Sequence, residues 1–215
     1  MADGVRLRPS AGRPTRAQAL ERDRQLLDTA LDLFFEHGFE RTSIEAITAA
    51  VGMAKRTIYA RYGDKRSLLR AALTRAIEEW RLPSARLVEL EGDDLEASLL
   101  AIGRRLLANI LRPEGLRLLQ LTNAEARRMP GLGPFTSQLG TEETLAFLRD
   151  LFARRIAGIA PEDADAAAMA FLQLVVGGPA NMAALGYALD PEAVDQQTVY
   201  NVGLFLNGVL AHPSA

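Results

Sequence analysis

The sequence predicts an all-α fold, and three observations carry that prediction. Ala and Leu are abundant, aromatic residues make up only 6% of the 215 residues, and few segments alternate with the period of two that marks a half-buried strand. Apolar residues recur instead at spacings of three and four, the period of a helix face. Residues 42–65 read TSIEAITAAVGMAKRTIYARYGDK, two short helical patterns meeting at Gly52, which is the arrangement of a helix-turn-helix.

Residues 1–14 are small, polar and Arg-bearing, with Pro9, Gly12 and Pro14. They read either as a flexible basic arm that lies along phosphates or enters a minor groove, or as a solvated tail. The first helix is expected from Thr15, with Gln18 at the N3 position of a capping box. Leu20, Leu27, Ala30, Leu31, Phe34 and Phe35 form its buried stripe, Gly38 ends it, and Phe39 folds back on the core. Thr42 and Glu45 fit a second capping box at the start of a bracing helix whose apolar face is Ile44, Ile47 and Val51. In the next helix Ile58 and Tyr62 sit four apart and face inward. Arg56 and Ala60 lie on the opposite side, flanked by Thr57 and Tyr59, while Lys55 and Arg61 border the core side on long stems. A face of this kind donates hydrogen bonds to phosphates and base edges.

Net charge is −2, yet the charges are unevenly placed. Residues 1–75 carry 14 Lys and Arg against 9 Asp and Glu, leaving 11 basic and 18 acidic residues for the rest. A basic N-terminal part on an acidic body is the asymmetry of a DNA-reading head joined to a regulatory domain.

VGMAKRTIYARYGDKRSLL, together with the preceding ALDLFFEHGFERTSIEAIT, resembles the signature of the tetracycline-repressor (TetR) family over roughly residues 20–75. The resemblance implies an N-terminal three-helix DNA-binding domain (15–64) and a C-terminal helical ligand-binding and dimerisation domain (65–215), with residues 65–81 as the connecting helix. It also implies DNA contacts from Thr42, Lys55, Arg56, Thr57, Tyr59, Ala60, Arg61 and Lys65. Thr42, Tyr59 and Lys65 would take phosphates, and Arg56 would take bases. One departure is Ala54, where the family usually has a Ser that caps the recognition helix.

Beyond the motif, residues 65–81 read as an amphipathic rod stopped by Pro83. Asp93 or Asp94 caps the next helix, and Pro113 opens another that runs towards Arg128. The segment MPGLGPF, 129–135, breaks the pattern, so the following helix is expected from Thr141 to Ile156, with Pro161 opening one more. No charged residue occurs from 166 to 189 or from 196 to 210. A transmembrane reading of the first run is set aside, because Ala and Gly dominate, Gln173 and Asn181 sit inside it, and Gly177-Gly178-Pro179 interrupts it. Helices without a charged face are buried on most sides. Pairing helices 162–189 and 192–210 with a second copy gives a four-helix bundle about a two-fold axis, and the resemblance implies the same homodimer.

The resemblance further implies a small-molecule effector inside the body. Trp80, Leu106, Leu119, Asn123, Phe135, Phe147 and Gln173 are candidate lining residues, being large or polar within apolar helices, and each also reads as plain core. With no cysteine and only His37 and His212, neither a thiolate nor a histidine metal cluster is available, and no cofactor is expected. Met1–Ala19 has no apolar signal segment, so a cytoplasmic location is the default. A phosphate-cradling Gly loop, a nucleophile elbow and metal-ligand spacing are all missing from the sequence. An all-helical enzyme and an effector-free architectural DNA-binding protein are therefore the weaker alternatives to a ligand-responsive repressor on a palindromic operator.

Overall fold

A computed structural model describes residues 15–211, so the expected N-terminal arm and His212 lie outside the described residues. These residues form two compact units that divide at Ala72 and Leu73, and no strand occurs among them.

In the first unit, α1 (Arg16–Arg41) starts at Thr15 through the expected capping box: the Thr15 hydroxyl accepts from Gln18 N–H, and the Gln18 side chain accepts from Thr15 N–H. Leu26, Leu27, Ala30, Leu31 and Phe34 form its buried face, whereas Leu20, expected in that stripe, is exposed. Gly38 (φ 76) breaks the helix near its end. The reversal brings the Phe39 ring onto that of Phe34, 5.8 Å between centroids.

The N-cap of α2 (Ile44–Val51) is Ser43, whose hydroxyl accepts from Ala46 N–H at 3.0 Å. The capping box expected from Thr42 and Glu45 does not form. Thr42 is fully buried, with its hydroxyl donating towards the carbonyls of Leu33 and Gly38 at 3.0 and 2.8 Å. Two hydroxyl residues stand side by side, and backbone geometry gives the cap to the second. Gly52 in the left-handed region (φ 64) closes α2, and α3 (Lys55–Tyr62) follows, its core side anchored by buried Ile58. Gly63 (φ 80) ends α3, and the Asp64 carboxylate accepts from Ser67 N–H at 2.7 Å, capping α4 (Lys65–Trp80).

The second unit contains the latter part of α4, then α5 (Ser84–Val88), α6 (Leu95–Ile110) and α7 (Pro113–Glu125). Asp94 is the cap of α6, and Pro113 occupies the first turn of α7. The latter helix stops at Glu125, short of Arg128. The break expected at 129–135 falls at residues 126–131 instead, and α8 (Leu132–Arg155) begins nine residues before Thr141. Pro134 is accommodated because it falls in the first turn, where its missing N–H has no helical acceptor to leave unpaired.

From Pro161 the chain stays helical to Ala184: α9 (Pro161–Phe171), a π-helical segment (Leu172–Gly177) and α10 (Gly178–Ala184). Gly177-Gly178-Pro179 therefore does not interrupt the run. The wider π turn re-registers the backbone before Pro179 enters the first turn of α10. Pro161–Ala184 is long and apolar enough, by length and composition, to cross a membrane. The last described element is α11 (Pro191–Ala211).

Rings from α8, α9 and α11 meet at the core of this unit: Phe152, Phe171 and Phe205, with centroids 5.3–6.3 Å apart. Helix α6 packs so closely on the π segment that a Cβ at Gly103 would lie 2.8 Å from Val175 Cγ1. Asn201 on α11 donates to Leu174 O at 2.8 Å, tying the π segment from its other side.

Ala54 takes the N-cap position of α3 in extended backbone (φ −74, ψ 137) and supplies no side-chain bond. Ala54→Ser should therefore stabilise the first unit by ~0.5–2 kcal/mol, measured as a rise in the denaturant midpoint without a change in slope.

Candidate nucleic-acid interface and body cavity

The outward face of α3 is presented as its period dictates. Ile58 is buried, while Arg56, Thr57, Tyr59 and Ala60 are exposed, Tyr59 at 44% despite its large ring. Arg56 makes no ion pair among the described residues. This face offers a guanidinium, a threonine hydroxyl and a phenol side by side, around an alanine small enough to admit a close approach.

The remaining four candidates are placed differently. Lys55 is ion-paired with Glu45 on α2 and lies 5.6 Å from the Tyr59 ring centroid. The hydrogen bond between them holds the Glu45 carboxyl below, and the Lys55 ammonium above, their ordinary ranges. The Arg61 guanidinium turns back onto α1 and pairs with Asp23, which raises its pKa. Thr42, sealed inside, presents no hydroxyl to a phosphate, and exposed Ser43 stands at the helix entrance in its place. The Lys65 ammonium donates to the carbonyls of Phe39, Thr42 and Glu40 at 2.8, 2.9 and 3.3 Å, and sits 4.3 Å from the Phe39 ring centroid. In this conformation it joins α4 to the turn between α1 and α2.

Tyr62 completes the packing of α3 on α1 by donating its phenol proton to Asp23. Burial, then this bond to a carboxylate, pushes its pKa up to about 12.

In the second unit a cavity of about 350 Å³ opens between α6, α7, α8 and the π segment with α10, within the range of small-molecule sites. Of the candidate lining residues, Leu106, Leu119, Asn123 and Gln173 lie on its wall. Trp80, Phe135 and Phe147 do not: Phe147 is packed into the core cluster, and Trp80 contributes its backbone carbonyl, which accepts from Asn109 at 3.2 Å. Residue pattern alone missed the hydroxyl wall of Thr122, Thr136, Ser137, Thr141 and Thr144, and the amides of Asn109 and Asn181. Its one legible signal was the recurrence of small hydroxyl residues along 136–144, on a helix expected to start later.

Two family descriptions cover these two units. That of the bacterial regulatory proteins of the tetR family matches residues 26–72, and that of the AefR-like transcriptional repressor C-terminal domain matches residues 97–208. The chain belongs to the TetR family of transcriptional regulators. TetR-family proteins are DNA-binding repressors, typically ligand-responsive dimers. A TetR-family regulator structure from Mesorhizobium loti is similar over 91% of this chain and 98% of that one, at 25% identity and a TM-score of 0.73. The flavonoid-responsive regulator FrrA is similar over 87% of this chain and 96% of its own, at 27% identity and a TM-score of 0.70. The HTH-type transcriptional repressor ComR of Escherichia coli K12 is 38% identical over 74 residues, 34% of this chain and 33% of that protein. The matched stretch thus spans about a third of that curated relative.

Tyr62 gives this TetR head an alkaline signature. Its raised pKa favours the neutral phenol in the folded state. That contribution is fully present below the unfolded value near 10 and is lost as pH rises towards about 12. Between pH 10 and 12, Tyr62→Phe should lose less stability than the wild type, read by denaturant melts at matched ionic strength. Parallel losses in the two proteins would show that Tyr62 is not the group responsible.

Proposed function

We propose that this protein is a homodimeric repressor that reads a palindromic operator with α3 of each protomer and is released by a small molecule held in the body cavity. The observation that carries the reading is the outward face of α3, where Arg56, Thr57, Tyr59 and Ala60 are exposed around a single buried anchor, Ile58. Arg56 supplies the bidentate donor that guanine edges accept, and Tyr59 supplies a phosphate donor. Ser43 joins them at the N-terminus of α2, where orphan N–H groups favour a phosphate. Lys55 reaches phosphate by exchanging its exposed bond to Glu45, a pair weak enough to be given up on binding. Arg61 and Lys65 act mainly by holding α3 and the α1–α2 turn in place.

The second copy follows from what the C-terminal helices leave uncovered. Met169, Met182, Leu185, Val199, Tyr200 and Leu204 are all exposed by 43% or more, along the same stretch that lacks charge. Exposed apolar side chains concentrated on these helices are what a partner surface would cover. Isologous pairing of helices 162–189 and 192–210 covers them and sets two heads on a two-fold axis, for successive major grooves ~34–36 Å apart. The same burial accounts for the apolar Pro161–Ala184 run without a bilayer, consistent with a protein working in the cytoplasm. A cavity bounded by the π segment, on the helices that form this interface, gives the effector differential contact with two arrangements of the dimer. By linkage, operator DNA must then weaken effector binding by the same factor.

The reading is tested on duplex DNA from the neighbourhood of the gene against random duplex, by anisotropy over a salt series. Tyr59→Phe should weaken binding to both alike, because a phosphate contact carries no base information. Arg56→Ala should cost ~1–3 kcal/mol on the preferred sequence only, relaxing one base step. A uniform loss for Arg56→Ala makes it a phosphate ligand, and no preference for any sequence defeats the regulator reading.

For assembly, Leu204→Arg should convert the dimer to monomer at micromolar concentration in sedimentation equilibrium. A wild-type chain that is already monomeric and folded there contradicts the bundle.

A further inference from the structure

The cavity wall is mainly apolar and carries a single charged side chain. Its polar groups are hydroxyls and carboxamides, and Arg81 is the one ionic residue among those lining it. The Arg81 guanidinium already has a counterion. Its Nη1 lies 2.8 Å from Glu143 Oε2, while Glu143 Oε1 accepts the Ser84 N–H at 2.9 Å. That backbone bond, before the charge of Arg81, holds the Glu143 carboxyl below the usual range, so it stays ionised near neutrality. A carboxylate entering the cavity competes with Glu143 for the same guanidinium. An ammonium meets Arg81 and no uncommitted anion on the wall. The ammonium is desolvated without compensation, and the carboxylate gains Arg81 only at the expense of the Arg81–Glu143 bond.

Against this, Leu82, Leu106, Ile110, Leu118 and Val176 supply an apolar bed, and a volume near 350 Å³ accommodates a molecule displacing on the order of ten waters. The hydroxyls on the wall are not equivalent. Thr136 donates to the carbonyls of Leu132 and Gly133, and Thr141 donates to Ser137 O. Thr122 is buried at 8% exposure, and its Oγ1 finds no hydrogen-bond partner among the described residues. Threonine in a helix divides between two rotamers, so a single χ1 step exchanges its methyl and hydroxyl and offers the oxygen to an occupant.

We propose that this cavity selects an uncharged, mainly apolar molecule bearing a hydroxyl or carbonyl oxygen, which Thr122 hydrogen-bonds, and that the Arg81–Glu143 pair turns carboxylates away. The assignment rests on the effector reading of the cavity given above and names its ligand class.

Four probes of one size separate the terms: 2-naphthol, naphthalene, 2-naphthoate and 2-naphthylmethylammonium, titrated calorimetrically at pH 7 into the full-length dimer without DNA. 2-Naphthol should bind at least tenfold more tightly than either ion and several-fold more tightly than naphthalene. Thr122→Val, nearly isosteric, should erase the preference for naphthol over naphthalene and leave naphthalene unchanged. Glu143→Gln, which keeps an acceptor for Ser84 N–H but frees the guanidinium, should raise naphthoate affinity tenfold or more. Equal or tighter binding of naphthoate or the ammonium to the wild type overturns the proposal. So does a naphthol preference that survives Thr122→Val, or failure of all four to bind.

Operator affinity with and without each probe keeps the two readings apart. The expected ranking with no effect on DNA binding leaves the ligand class standing and removes the effector role. Release of DNA by an ionic ligand that occupies the cavity does the reverse.

Discussion

Lys65 and Thr42 together close the turn on which the head depends. A helix end leaves carbonyls without partners and carries the negative end of the helix dipole, and the Gly38 break in α1 exposes such carbonyls just where α2 must begin. The Lys65 ammonium, arriving with the first turn of α4, collects those of Phe39, Glu40 and Thr42 and rests on the Phe39 ring. The Thr42 hydroxyl turns inward onto Leu33 and Gly38. With these groups satisfied, Ser43 is left to cap α2, and α2 in turn sets the Gly52 turn and the aim of α3. A lysine and a threonine that the family pattern offers as phosphate ligands are here internal struts. The exposed face of α3 is carried by neighbours the strut positions.

A second economy shapes the recognition helix. With Ala54 at its N-cap and an internal ion pair on either border, α3 has little stability of its own and is held mainly by Ile58, by Arg61 and Tyr62 reaching Asp23, and by the glycines at both ends. Its outer face is thereby left to exposed, uncommitted groups. In the body the same division recurs: rings of Phe152, Phe171 and Phe205 fill the core, while the hydroxyl wall of α8 and the π segment surround unfilled space. The π turn brings Leu172, Gln173, Val176 and Gly177 to the cavity. The Gln173 amide lies against Gly177, where a Cβ would come 2.8 Å from Oε1 and the flexible side chain would have to shift.

Local punctuation was legible at the level of residues. The Thr15–Gln18 box, the Asp93–Asp94 pair, Pro113, Pro161, Gly52 and Gly63 mark helix limits that the structure bears out, with Asp94 the cap of its pair, because each acts on backbone groups within one turn of itself. Where a choice depends on more distant groups, the residue pattern does not decide it. Thr42 and Ser43 are equally good caps in sequence, and the carbonyls of Leu33 and Gly38 decide between them. Leu20 fits the apolar period, yet nothing covers it among the described residues. Gly-Gly-Pro reads as a stop, yet packing against α6 and α11 sustains the helix through a π turn. Pro134 reads as a break, yet its place in the first turn of α8 makes it harmless.

The amino-acid order by itself determined the all-α class, the helix-turn-helix with its outward Arg56–Ala60 face, and the charge-free C-terminal stretches. Each of these is a matter of period and composition along one helix. Tertiary structure decided which cations are already engaged and where the cavity lies. Engagement depends on carbonyls and carboxylates brought close from other helices, as Asp23 is to Arg61. A cavity is the space that packing leaves over, so no residue type announces it. That is why Phe147, large enough to attract notice, packs into the core while small threonines line the space.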